Sequence, residues 1–261
     1  YNSDYIFLKP FGLHFFDYKN AEYYNTRRPY SRMKFSGSAN QLEAFNAIIT
    51  QNMTKEWNIG AELDFNGAKG AIKNQKTGTH QLRAFSTYYG SRYSFVGQYS
   101  VNRLFAQENG GVQDGTDLRM SGLLADMGNV NLPNAQSVTR FRQIYLRQEF
   151  NLMGRYKKPD SIKVEFWEFP LSLGHEFKAE RAYRRFQETL EGIDASRKFY
   201  GKQGIDTLAT LDTVLQSNIS NSLFLKKNYS GLFKGGIVAG LGVETERHLT
   251  NRSMETNFNN S

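Results

Sequence analysis

The chain has 261 residues, 33 Lys and Arg against 25 Asp and Glu, and a net charge of +8. It contains no cysteine, which removes disulfides, thiolate metal sites and cysteine nucleophiles together. No run of about 18 apolar residues occurs, so a transmembrane helix is excluded, but membrane-crossing strands alternate and leave mean hydropathy low. Phe and Tyr are plentiful (20 and 15) and Pro is scarce (5), a bias toward pleated surfaces and membrane-interface girdles.

The first residues, YNSDYIFLKP, carry neither Met nor a charged-then-apolar signal segment, and the last, TNFNNS, break off where another strand begins. A portion of a longer chain is expected, with a start compatible with export. YSRMKFSGS (30–38) sets Met33 and Phe35 on one face and Arg32 and Lys34 on the other. In 41–52, Phe45, Ala47 and Ile49 fall in step. KEWNIGAELDFN (55–66) alternates strictly, Trp57, Ile59, Ala61, Leu63 and Phe65 against Glu56, Asn58, Gly60, Glu62 and Asp64. A period of two means a strand with one apolar and one polar face.

A Gly-, Lys- and Asn-rich loop is expected over 66–79, followed by strands at 80–89 and 93–105. The tight turn GSR joins them, with Gly90 free to take a positive φ. Tyr93, Phe95, Tyr99, Val101 and Phe105 share a phase. A long polar loop over 106–138 contains ENGG (108–111), read as a turn. The strand at 139–151 carries Ile144, Leu146 and Phe150 on one side, and GRYKKPDS (154–161) turns into the longest pattern, 162–186. There Trp167, Phe169, Leu171, Leu173 and Phe177 oppose Glu168, Ser172, Glu176, Lys178 and Glu180. A second long loop at 187–215 precedes strands at 217–226 and 235–247.

In a soluble sandwich the apolar face turns to a core; in an outer-membrane barrel it meets lipid and the polar face lines a lumen. The connections favour the barrel. Short turns at 53–55, 90–92, 152–161 and 227–234 alternate with longer loops at 66–79, 106–138 and 187–215, the sorting by end that outer-membrane barrels show. The expected architecture is all-β, one antiparallel transmembrane β-barrel domain over residues 1–261. It should be an incomplete portion of a larger barrel with about ten to twelve strands present. The lumen-facing set is Arg32, Lys34, Glu62, Asp64, Arg83, Arg147, Glu149, Glu168, Glu176 and Lys178. The lipid-facing set is Trp57, Ile59, Leu63, Phe65, Trp167, Phe169, Leu171 and Leu173. The three loops should share the cell-surface end, with Trp57, Phe65, Tyr93, Phe105 and Trp167 near the aromatic girdles.

NTRRPYSRMKFSG (25–37), TQN (50–52), KNQKT (73–77), TYYGSRYSF (87–95), ENGG (108–111), LGHEF (173–177) and TLDTV (210–214) follow one another in that order. In this succession the chain resembles the putative porin family of Bacteroidota outer membranes, whose members are longer than this sequence. The resemblance covers roughly Asn25 to Glu246 and implies a β-barrel in the cell outer membrane, without implying a substrate.

Other residues receive plainer readings. His14, His80, His175 and His248 have no metal-ligand spacing and are read as wall or rim residues. His175 falls in phase with Leu173 and Phe177, so either a bulge at Gly174 turns it inward or it lies near the interface. Asp114 and Asp117 match no calcium loop and are taken as solvated turn residues. No Ser/His/acid grouping stands out, and no enzymatic activity, metal or cofactor is expected.

Basic clusters such as Arg155, Lys157 and Lys158, or Arg181, Arg184 and Arg185, lack interleaved stacking aromatics. Lipid phosphates, rather than nucleic acid, are their expected contact. The expected partners are outer-membrane lipid and lipopolysaccharide, and other outer-membrane proteins or lipoproteins. Function reads as a passive pore for small hydrophilic solutes. The competing readings are a non-conducting barrel subunit of a secretion, insertion or uptake assembly, and a soluble β-binding module. With Glu56 and Glu180 added, the lumen positions are slightly more acidic than basic, which predicts weak selectivity with a mild cation preference.

Overall fold

Period-two alternation can bury one face only as a strand, and each such pattern pairs with the next in sequence. The computed structural model describes residues 15–38, 42–113, 130–157, 166–189, 209–229 and 235–251. The strands are β1 (Tyr30–Ser38), β2 (Leu42–Asn52), β3 (Trp57–Ala68), β4 (Thr77–Tyr89), β5 (Tyr93–Gln107), β6 (Gln136–Lys157), β7 (Phe166–Thr189), β8 (Ala209–Tyr229) and β9 (Gly235–Asn251). They form one sheet in sequence order, and every neighbouring pair is antiparallel. The sheet is open among the described residues, with β1 and β9 as its edges. This is the form of an incomplete barrel wall.

All nine alternating patterns are strands; any tenth to twelfth would have to lie outside the described residues. The connections after β3, β5 and β7 (69–76, 108–135 and 190–208) lie at one end of the sheet. Those after β2, β4, β6 and β8 (53–56, 90–92, 158–165 and 230–234) lie at the other, so the loops sort by end as expected.

Several strand ends run further than side-chain alternation suggests. β3 and β4 stay paired to Ala68↔Thr77, past Gly67 and Gly78, which narrows the loop expected at 66–79. β6 continues through the turn expected at 154–161 as far as Lys157, with register shifts between Asn151 and Met153 and between Met153 and Arg155. β7 and β8 remain paired to Thr189↔Ala209, inside the loop expected at 187–215. Ladder hydrogen bonds, not side-chain pattern, set these ends.

In ENGG, Gly110 and Gly111 have positive φ, at 63° and 86°, and the chain bends at Gly111, while Glu108 and Asn109 bond across to Ala135 and Leu132. Asn74, itself at φ 55°, donates to the carbonyls of Leu132 at 2.8 Å and Ala135 at 3.2 Å, tying the first long loop to the second. Gly90 is not among the positive-φ residues, contrary to expectation. A Cβ there would instead meet the ring of Tyr88 at 2.6 Å, so side-chain crowding explains the glycine.

Burial is inverted relative to a soluble sandwich. On one face Trp57, Ile59 and Phe65 remain 40%, 38% and 38% exposed, and Leu241 reaches 88%. They are not packed into a core. On the other face Thr50, Asn58, Gln81, Thr87, Ser100, Asn102, Thr139, Gln143 and Asn218 are buried. That second face, on which the segment preceding β1 lies, is termed the inner face. Phe15 of that segment packs on the inner-face side chains Leu104, Phe141 and Ala182 as a small core, and Ile48, Phe85 and Tyr145 are buried on the same face.

Two inner-face rings sit over glycines. Phe85 pairs across from Gly60, and Phe224 lies between Gly174 and Gly240 on its two neighbouring strands. A Cβ at Gly60 or Gly174 would overlap the facing ring. Gly174 therefore makes room for Phe224 and forms no bulge, and His175 stays on the outer face. Gly174→Ala should cost about 1–3 kcal/mol through this overlap, and adding Phe224→Leu should recover part of the loss. Urea unfolding midpoints of the refolded protein in micelles test this, and an unchanged midpoint for Gly174→Ala contradicts it.

Candidate pore wall and its inner strap

Residues Phe15 to Pro29 carry no period-two run and form no strand among themselves. Asp17 accepts from the Lys19 amide at 3.3 Å and caps the 3-10 turn Tyr18–Asn20. The segment crosses the strands and uses wall side chains as backbone partners. Asn102 on β5 accepts from the Phe16 amide at 2.8 Å and donates to the Phe16 carbonyl at 3.1 Å. Gln143 on β6 accepts from the Tyr18 amide at 2.8 Å and donates to Asp17 at 3.0 Å and to Glu180 on β7 at 2.7 Å. The Tyr23 hydroxyl donates to Gln98 at 3.1 Å, Arg83 to the Glu22 carbonyl at 3.4 Å, and the Thr26 amide to Asn52 on β2 at 3.1 Å.

Aromatic contacts complete this strap. Phe15 stacks on Phe141 at 6.2 Å, Tyr18 on Tyr145 at 4.3 Å, and Tyr23 meets Phe85 edge-on at 5.9 Å. Burial raises the Tyr23 hydroxyl to about 12, and burial and the neighbouring Asp17 push Tyr18 up as well. Both stay neutral near pH 7. The strands alone did not reveal the strap; its one signal is the aromatic density of FFDYKNAEYY (15–24) in a stretch without strand period.

Beside the strap the inner wall carries two groups of charges. In the first, Arg83 and Glu62 pair at 2.5 Å, both buried. Asn46 donates to Glu62 at 3.3 Å and Asp64 at 3.2 Å, and accepts from Arg32 at 3.4 Å. In the second, Arg147 pairs with Glu149 at 2.7 Å and approaches Glu176 at 3.9 Å; Lys178 lies 3.6 Å from Glu180 and 3.8 Å from Glu244. A cleft of about 320 Å³ opens between the strap and the first group, lined in part by Asp17, Asp64, Gln81 and Arg83.

Of the residues read as lumen-facing, Arg32, Lys34, Glu62, Asp64, Arg83, Arg147, Glu149, Glu176 and Lys178 share the inner face by register. Trp57, Ile59, Leu63, Phe65, Leu171 and Leu173 share the outer one. Trp167 and Glu168 pair with Tyr156 and Arg155; the side chains of Trp167, Glu168 and Phe169 lie outside the described residues, as do Asp114, Asp117 and His14. Arg184, Glu188, Asp212, Lys226, Glu244 and Glu246 also fall on the inner face. Sequence reading missed Glu188 and Asp212 because the loop at 187–215 was drawn too wide. Counting these, acidic residues still slightly outnumber basic ones along the described inner wall.

His175 bonds on the outer face to Asn221 at 2.8 Å and lies 3.4 Å from Gln148, which accepts from the Tyr93 hydroxyl at 2.6 Å. A polar group on an apolar face is satisfied there by its own neighbours.

A family profile described as "Putative porin" matches residues 1–261, the whole chain. The chain belongs to this porin family. No curated protein matches it. Within a porin, an inner face of paired charges and amides is the expected lining, and paired charges hold their geometry only while both partners remain. Arg83→Met should therefore destabilise by about 3–5 kcal/mol, because Glu62 is left buried without its partner. The double variant Arg83→Met/Glu62→Leu should be less destabilised than the single one. Urea unfolding of the refolded protein decides; equal losses would mean the pair is not coupled.

Proposed function

We propose that the chain is part of the wall of an outer-membrane channel through which small hydrophilic solutes diffuse passively. The outer face meets lipid, the inner face lines the lumen, and neither catalysis nor a cofactor is involved. The supporting observation is the inverted burial together with two aromatic clusters on the outer face. Trp57, Tyr88, Tyr93 and Phe95 gather at the short-turn end, with Tyr88 6.1 Å from Phe95. Phe45 and Phe65 stack at 6.4 Å toward the long-loop end, where Phe105 also lies. At about 3.4 Å per residue and a tilt of about 40°, Trp57 and Phe65 stand about 20 Å apart and Tyr93 and Phe105 about 30 Å apart. Those spacings bracket an apolar band of about 25 Å.

The strap supports the second reading, a non-conducting barrel that serves as a subunit of a secretion, insertion or uptake assembly, since it occupies part of the inner face. Single-channel recording of the full-length protein in a planar bilayer separates the two. Passive conductance is expected, with reversal potentials in a salt gradient showing at most a mild cation preference. Deleting residues 15–26 should raise the conductance. Silence from a folded barrel, with stable co-purification of lipoproteins, would favour the assembly.

A further inference from the structure

The outer face of β3–β9 carries charge of one sign. Among the described side chains there, from Trp57 to Leu249, the parity that holds the apolar residues includes no Asp or Glu. The acids of these strands all fall on the inner parity. Basic residues on the outer face are grouped toward the long-loop end. Arg103 on β5 sits directly opposite Arg140 on β6, and Arg142 on β6 directly opposite Arg181 on β7. Like charges placed opposite one another across a ladder repel. None of these four arginines makes a hydrogen bond or ion pair with another described residue. Arg140, Arg142, Arg181 and Tyr183 surround a depression of about 220 Å³.

Two stacked like-charge pairs with no counterion among the described residues leave a site that an external anion would complete. Its depth indicates which anion. Arg103 lies ten residues along β5 from Tyr93 of the short-turn aromatic cluster, which at about 3.4 Å per residue and a tilt of about 40° is about 25 Å, one apolar band. The guanidinium groups therefore stand at the opposite interface, beside the long loops. Arginine matches phosphate by its planar fork of donors, and an apolar strip of Tyr99, Ile144 and Ala179 lies directly below for acyl chains.

We propose that Arg103, Arg140, Arg142 and Arg181 bind the phosphate groups of a lipid in the leaflet at the long-loop end. The site rests on the lipid-facing placement of the outer face proposed above, and not on conduction.

Native mass spectrometry of the full-length protein in detergent tests it, with diphosphoryl lipid A and the same lipid stripped of phosphate as probes. Wild type should retain the phosphorylated probe in clear preference. Arg140→Gln/Arg142→Gln/Arg181→Gln should lose about a hundredfold in affinity, from a factor of about five per arginine. Lys227→Gln, on the outer face at the short-turn end, should bind as wild type does. If the triple variant does not show wild-type heat-dependent gel mobility, Arg142→Gln alone should lose about fivefold and Arg142→Lys less.

Undiminished binding by the folded variants would overturn the proposal, as would equal retention of the two lipids. So would binding of inorganic pyrophosphate as tight as that of the lipid, which would make this a free-anion site. Loss of a dimer mass instead of a lipid mass would assign the face to a second copy of the chain. A protein that stays soluble without detergent would count against the placement itself, whereas a conducting barrel without lipid preference would count against this site alone.

Discussion

Everything in this wall depends on one constraint: side chains alternate between two surroundings of opposite preference while the backbone bonds only to its neighbours in the ladder. In hydrocarbon no water can take a stray amide, so each strand must be paired on both sides throughout its crossing. Antiparallel order meets that demand for β2 to β8, each paired to its sequence neighbours on both sides, with every connection leading to the adjacent strand. The same alternation that places Ile59 and Phe65 outside places Glu62 and Asp64 inside. A slip of one residue would exchange the two sets.

With apolar residues turned outward, the interior must find cohesion elsewhere. It does so through polar pairing and the strap. Asn102 and Gln143 bond to strap backbone much as a strand neighbour would, and Gln143 links Asp17 to Glu180 across three elements. The glycines at 60 and 174 serve the same end by letting Phe85 and Phe224 lie flat against the wall. Arg147 adds a cation–π contact 5.0 Å from the Phe224 ring. The result is a lining with most charges compensated locally, while the outer face keeps arginines that no described residue neutralises.

Much of the fold was legible because period two is a local signal. Trp57 to Phe65 declared both the strand and its two faces, and the contrast between GSR and the loop near 106–138 declared the two ends of the sheet. The strand ends were less legible, since Gly67, Gly78 and the bulged stretch around Met153 break the side-chain pattern while leaving backbone pairing intact. The sequence leaves His175 open between a bulge that turns it inward and a place near the interface, because its partners on the outer face, Asn221 and Gln148, lie across strands. The strap was not legible at all as structure. Its contacts span sequence separations such as 125 between Tyr18 and Gln143, and no period marks a segment whose partners are side chains on other strands.

The central claim is that adjacent residues face different solvents, and the absence of native cysteine makes it directly measurable. Ile219→Cys and Ser220→Cys, neighbours on β8, can be compared in the full-length protein in lipid vesicles using a charged, membrane-impermeant maleimide. Ser220→Cys should label, and Ile219→Cys should label only after the vesicles are dissolved and the protein unfolded. Labelling of Ile219→Cys in intact vesicles with Ser220→Cys protected would contradict the account.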